Sequence, residues 1–315
     1  MKKTITIFML LLLATTLFSY GQKENYLKEE NLKGSIKYFE EIRYKSIVLD
    51  GKDVEKRINK NNVMKFNEDG KVEFIIDEIT GEGFIFKYDS CKNNIETLYS
   101  INQNNTGKIV SNYDEKGNLI ESILYFNDGI IEQKTIYKYE DNGNMTEEIY
   151  DFEGNLNLRT KYTYDINKNI ISLITSNSRR TDRINLFSYD LRGNKTEWII
   201  SQDEDILKNE TFIYDDNDNL IQWNNSESWK ENLKYIYTYD NKGNEIEVKS
   251  YDKDGKLHEK SICKYEYDKK DNWTKKITYN ELSKLTKIEE RKIVYYGDKD
   301  ENDYQVWDDL IKPDL

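Results

Sequence analysis

The 315-residue chain carries 47 basic and 59 acidic residues, for a formal net charge of -12, and only 37% of it is hydrophobic. That acidity argues against nucleic acid and anionic lipid as electrostatic partners. The low hydrophobic fraction does not imply disorder, because 25 Tyr and 11 Phe supply large rings for burial, the tyrosines with a polar tip.

The N-terminus opens Met1-Lys2-Lys3, runs apolar from Ile5 to Leu17 and offers Ser19-Tyr20-Gly21. This is the order of a signal peptide, residues 1–21, with cleavage after Gly21. The apolar run is too short to span a bilayer as a helix and no later segment approaches that length. No cysteine stands near the cleavage site for lipid attachment. The expectation is therefore a periplasmic or extracellular protein without membrane insertion. Residues 22–62 read as an N-terminal β cap containing a degenerate repeat, with a turn at Leu49-Asp50-Gly51-Lys52.

From residue 63 to 296 one unit of about 25 residues recurs about nine times, marked by Tyr-Asp-x-x-Gly-Asn. The clear copies are Tyr88-Asp89 with Asn93-Asn94, Tyr113-Asp114 with Gly117-Asn118, Tyr139-Glu140 with Gly143-Asn144 and Tyr164-Asp165 with Lys168-Asn169. They continue as Tyr189-Asp190 with Gly193-Asn194, Tyr214-Asp215 with Asp218-Asn219, Tyr239-Asp240 with Gly243-Asn244 and Tyr267-Asp268 with Asp271-Asn272. Gly, Asn and Asp tolerate positive φ, and an Asp side chain can accept from backbone N–H groups just downstream, so the marker is a tight turn and its polar residues are structural. A second turn falls midway in most units, as at Phe152-Glu153-Gly154-Asn155 and Lys253-Asp254-Gly255, making each unit a hairpin. The acidic tail, 297–315, loses the repeat, and Trp307, Leu310 and Ile311 are its docking candidates.

Two residues before each marker tyrosine stands another aromatic: Phe86, Tyr137, Tyr162, Phe187, Phe212, Tyr237 and Tyr265. Residues two apart share a strand face, so this strand has one aromatic and one mostly polar face. Downstream of the marker, Ile120, Thr146, Ile171, Thr196, Ile221, Ile246 and Thr274 are β-branched, yet Ile123, Ile149, Ile174, Ile199 and Ile277 break strict alternation with them. A β-bulge or burial on both faces would account for this. The fold expected is all-β: tandem hairpins forming one long, twisted, curled antiparallel sheet, since so many strands in one sheet cannot stay flat.

The marker, with its aromatic at minus two, resembles the YD repeats of the RHS family, and most closely its short secreted bacterial versions. The resemblance covers roughly residues 36–296 and implies a spiral or open shell. The chain lacks the Asp-Pro cleavage motif, the variable C-terminal domain and the number of units with which large RHS proteins enclose a toxin.

No catalytic set stands out. His258 is the one histidine, which rules out multi-histidine metal sites and leaves a hydrolase triad to rest on it alone. Asp215-Asp216-Asn217-Asp218-Asn219 and Asp252-Lys253-Asp254-Gly255 crowd oxygens as calcium turns do. Neither continues to a Glu at EF-hand spacing, so no cofactor is expected, with calcium at these turns as the alternative. Cys91 and Cys263 lie near opposite ends of the array and are expected to be free thiols. The binding candidates are Trp198 and Trp223, each four residues past a marker Asn, together with nearby Trp229. Such rings stack on sugars or receive a peptide strand. The function expected is a secreted, non-catalytic binding or structural module whose partner is a protein or a glycan. The alternative is an effector-associated RHS-like protein or a carbohydrate-active enzyme.

Overall fold

The computed structural model describes residue 27 and residues 30–49, 53–101, 105–126, 129–177, 180–227 and 232–298, the side chains of 45–57, 105 and 180 excepted. The signal segment, the tip Asp50-Gly51-Lys52 of the turn expected at 49–52, Trp229 and the tail from 299 onward lie outside these residues. Twenty strands are present among them. The first ten are β1 (Ile36–Leu49), β2 (Asp53–Phe66), β3 (Val72–Asp77), β4 (Glu82–Tyr88), β5 (Asn94–Ile101), β6 (Asn105–Tyr113), β7 (Leu119–Phe126), β8 (Ile131–Tyr139), β9 (Met145–Asp151) and β10 (Leu156–Tyr164). The second ten are β11 (Ile170–Asn177), β12 (Arg180–Tyr189), β13 (Lys195–Gln202), β14 (Asp205–Tyr214), β15 (Leu220–Glu227), β16 (Leu233–Tyr239), β17 (Glu245–Tyr251), β18 (Leu257–Tyr267), β19 (Trp273–Asn280) and β20 (Leu285–Tyr295).

Successive strands pair antiparallel, and β20 pairs back onto β1, with Glu41 opposite Arg291 and Ile42 opposite Glu290. The ladder is thus a closed barrel, which corrects the expected open sheet, spiral or shell and withdraws the open RHS-type repeat array with it. An open array would keep two edges of unpaired N–H and C=O groups, and closure removes both. Closure corrects a second expectation. No described helix is long and apolar enough to cross a membrane, but that says nothing of strands, and a closed barrel satisfies its backbone internally and is able to span a bilayer. The expectation of no membrane insertion does not stand.

The chain divides into two compact units, one formed by Met1–Thr106, Tyr265–Ile277 and Thr286–Leu315, the other by Gly107–Lys264 and Thr278–Leu285. The second unit contains most of the repeats, and its turns follow one chemistry. Asp114 Oδ1 accepts from the backbone N–H groups of Lys116 and Asn118, at 2.9 and 2.8 Å, while Oδ2 accepts from Asn118 Nδ2. Asp165, Asp190 and Asp215 repeat the pattern, and Asp240 also accepts from the backbone and side chain of Asn244. The fifth position turns left-handed, at φ +81° in Gly117 and +67° in Lys168, which costs a Gly nothing. With Glu in place of Asp, the Glu140 turn keeps the backbone bonds, Asn144 O accepting from Glu140 N and Gly143 N donating to Glu140 O.

The marker tyrosines do more than fill space. The Tyr139, Tyr189, Tyr214 and Tyr239 hydroxyls donate to the carbonyls of Leu119, Ile170, Lys195 and Leu220, at 2.8 to 3.0 Å. Each bond staples one unit to the strand that opens the unit before it, a bond that a Phe cannot make. The alternation puzzle resolves as a bulge. At Tyr113, Tyr164, Tyr189, Tyr214 and Tyr239 the register skips the second residue after the Asn, so Ile120, Ile171, Thr196, Ile221 and Ile246 have no cross-strand partner in these pairs. At Tyr139 there is no skip. Ile149 then falls on the tyrosine-bearing face and is buried, whereas Ile123, Ile174 and Ile199 point the other way.

Two faces result in this unit. The face opposite the tyrosines carries ion pairs such as Lys134–Glu121, Arg159–Glu148 and Lys260–Glu247. The tyrosine face is aromatic at minus two and polar at minus four, where Thr135, Thr160, Asn185 and Glu210 are all buried.

In the first unit two apolar clusters form the core, one around Phe39, Met64, Phe66 and Phe86, the other around Tyr38, Val63 and Phe74. Its marker at Tyr88 has Lys92 at φ +67° and Asn93 bonded to Asp89, so the turn ends at Asn93 and the reading Asn93-Asn94 is one residue too late. The Tyr88 hydroxyl donates to Val72 O. The last marker Asn has a different use. Asn272 Nδ2 donates to Lys33 O and to the Tyr295 hydroxyl, and its Oδ1 accepts from Lys33 N–H at 2.7 Å, pinning the segment that leads into β1.

Candidate functional site

Trp198 and Trp223 lie on the tyrosine face of the second unit, each opposite the minus-two aromatic of the preceding strand: Phe187 for Trp198 and Phe212 for Trp223. The shared register seen in the sequence thus becomes a shared face. The rings are used differently. Trp198 stacks on Phe187, donates its indole N–H to Asn185 Oδ1 at 3.1 Å and has the Lys208 ammonium 4.0 Å from its centroid. Its polar handle is therefore spent. Trp223 stacks on Tyr235 at 4.7 Å, and its indole N–H has no partner.

Around Trp223 two more buried polar atoms are unbonded, Asn225 Oδ1 and Ser250 Oγ. The register explains their grouping. Trp223 faces Tyr235, which faces Ser250, and Asn225 is two residues along from Trp223 on the same face. Buried polar groups without partners cost free energy, on the order of 1–3 kcal/mol each, unless water or a ligand completes them. A cavity of about 560 Å³ lies on the other face of the same strands: its walls Asn224, Ser226, Lys234, Ile236 and Tyr251 alternate with Trp223, Asn225, Tyr235 and Ser250, and neither Trp223 nor Ser250 lines it. That volume is in the range of small-molecule sites, and its lining mixes amides and Ser226 with the charged Lys234, Asp252 and Lys253, the apolar Leu233 and Ile236 and the ring of Tyr251.

Charged residues also reach this face. Lys208 pairs with Glu210 at 3.0 Å and lies 4.0 Å from Glu227. Glu147 is buried, accepts from the Tyr162 hydroxyl at 2.9 Å and pairs with no cation among the described residues. Burial pushes its carboxyl above the ordinary range, against the pull of the Tyr162 and Tyr137 hydroxyls.

The other sequence candidates take structural roles. Both oxygens of Asp215 are held by its own turn, and Asp218 Oδ1 accepts from Asn194 Nδ2 at 2.7 Å and faces Arg192. Asp252 Oδ1 accepts from the N–H groups of Asp254 and Lys256. His258 is exposed on β18, and no group of His, Cys, Asp and Glu able to hold a metal occurs among the described residues. Cys91 is exposed, Cys263 is buried, and both are free. Sequence reasoning missed Asn225 and Ser250. The pair Asn224-Asn225 inside a strand is the one local sign, because β-propensity disfavours Asn there.

No family model and no curated protein matches this chain. Among solved structures, a porin-like protein from Bacteroides uniformis ATCC 8492 is similar at 11% identity and a TM-score of 0.39, covering 82% of this chain and 96% of that one. A porin-like protein from Bacteroides vulgatus ATCC 8482 is similar at 10% identity and a TM-score of 0.30, covering 84% and 100%. Neither similarity extends to a function for this chain. An address in the cell envelope stands as the coarse reading of the N-terminus.

Proposed function

We propose that this protein is a non-catalytic binding module of the cell envelope, on the periplasmic or exterior side, whose ligand is a polyhydroxylated chain such as a glycan. The observation that carries the reading is the strip formed by Trp223, Asn225 and Ser250. One stacked aromatic ring there adjoins an indole donor, an amide acceptor and a hydroxyl, none of which has a partner. Sugars present apolar ring faces and radial hydroxyls that both donate and accept, so this set of groups complements them. The repeated Asp, Asn and Tyr groups of the markers are held in turns and staples, which leaves binding to residues that vary between copies. Calorimetric titration of the full chain with envelope polysaccharides tests the proposal. Saturable binding, weakened at least tenfold in Trp223→Phe and in Asn225→Ala, supports it. Binding of no polysaccharide, or binding indifferent to both substitutions, would sink it.

A further inference from the structure

Lys195 opens β13 on the tyrosine face, and its ammonium is surrounded by three aromatic rings. It lies 5.8 Å from the Phe187 centroid, 5.1 Å from that of Trp198 and 5.3 Å from that of Phe212. Rings attract a cation through their quadrupoles but accept its hydrogen bonds poorly. Among the described residues no carboxylate or carbonyl bonds to Lys195 Nζ. The acid in its field, Glu210, is paired with Lys208 at 3.0 Å, and the Lys208 charge itself opposes that of Lys195. Burial pulls the Lys195 ammonium below the usual lysine range, so the charged form is held there at a cost.

A half-buried cation with donors to spare, in a chain of formal charge -12, attracts an anion. A cationic ligand is disfavoured, because the ring cage is already filled by the protein's own ammonium. The rings continue towards the strip described above, since Phe212, one wall of the cage, is the cross-strand partner of Trp223.

We infer that Lys195 is an anion subsite that receives the carboxylate of an acidic saccharide whose neighbouring sugars lie along Phe212 and Trp223. This deepens the glycan reading and rests on it. The selectivity would come from one charge-assisted hydrogen bond formed in a partly desolvated setting.

The test uses the full chain and three probes: a galacturonic acid trisaccharide, the neutral galactose trisaccharide and inorganic sulfate. The wild type should bind the acidic trisaccharide at least tenfold more tightly than the neutral one. Lys195→Met should erase that preference while leaving neutral binding in place, and Lys195→Arg should retain it, which separates lost charge from lost folding. Added salt should shrink the preference. Equal affinity for the two trisaccharides in the wild type, or a preference that persists in Lys195→Met, overturns the inference while the glycan reading survives. Binding of neither trisaccharide overturns both. A tryptophan fluorescence response to sulfate alone, without either sugar, assigns the site to free anions and overturns the saccharide assignment.

Discussion

The Arg291 guanidinium lies 3.5 Å from the centroid of the Trp273 ring and bonds Glu41 across the β1–β20 pair, its Nη2 being 3.0 Å from Glu41 Oε2. Both charged groups are buried, and Arg291 also bonds Glu30, whose carbonyl accepts from Nη1 at 3.2 Å. Arg43 joins Glu41 to Glu289, extending the network along the pairing that closes the ladder. Such a network adds little net stability over an apolar seam, but breaking one half of it strands a buried charge. Glu41→Ala is therefore expected to lower unfolding free energy by about 3 kcal/mol, seen as a lower urea midpoint. A midpoint unchanged from wild type would mean that the seam is not fastened here.

The two buried carboxylates Glu41 and Glu147 should respond to acid in opposite senses. Burial pushes the Glu41 carboxyl up, but the charges and hydrogen bonds of Arg291 and Arg43 together hold it below its ordinary value. Its contribution is complete above the unfolded value and is lost as pH falls through the lower folded one. Glu147 is held above its ordinary value, so it penalises the fold at neutral pH, and the penalty fades as pH falls through its folded value. Glu147→Gln should then raise the urea midpoint at pH 7, with the gain closing towards acid. A gain that persists unchanged at low pH would contradict this assignment.

The tyrosine staples predict a cost for losing one hydroxyl. Tyr214→Phe leaves the Lys195 carbonyl without its 3.0 Å donor and should destabilise the chain by about 1 kcal/mol. Alkaline titration followed by tyrosine absorbance should show the staple residues Tyr139 and Tyr239 ionising late, because burial pushes both up to about 12. Ionisation of every tyrosine near 10 would show that the staples are open.

At the fifth marker position a side chain is a burden wherever φ is positive. Lys168 is exposed at φ +67°, a conformation that costs an L-residue roughly 1 kcal/mol or more. Lys168→Gly should raise stability by about 1 kcal/mol, and Gly117→Ala at φ +81° should lower it. The thermal midpoint checks both, and a fall in Lys168→Gly would contradict the turn geometry.

What the sequence made legible was local. Asp114, Gly117 and Asn118 act within five residues of each other, so their turn could be read from their chemistry, and the minus-two aromatics revealed their face by spacing alone. The Lys92–Asn93 turn was misplaced by one residue because two asparagines stand side by side and either satisfies the pattern. Ile123 and Ile149 occupy the same repeat position on opposite faces, a difference decided by a skipped partner at Leu119–Glu121 that composition does not mark. Closure was out of reach, because it joins Glu41 to a residue 250 positions away on strands outside the clear repeat. The same holds for Trp223, Asn225 and Ser250, whose unsatisfied atoms follow from cross-strand neighbours and not from spacing along the chain.

The closed ladder is the claim on which both the faces and the site depend, and one cross-link tests it. Ile42 and Glu290 are direct Cα partners in the β1–β20 pair. Cysteines at these two positions, in a chain carrying Cys91→Ser and Cys263→Ala, should therefore form a disulfide under mild oxidation. Near-complete cross-linking, read as a reducible mobility shift of the monomer, is the result a closed barrel predicts. Free thiols at both positions under the same conditions would mean that β1 and β20 are open edges, and would contradict it.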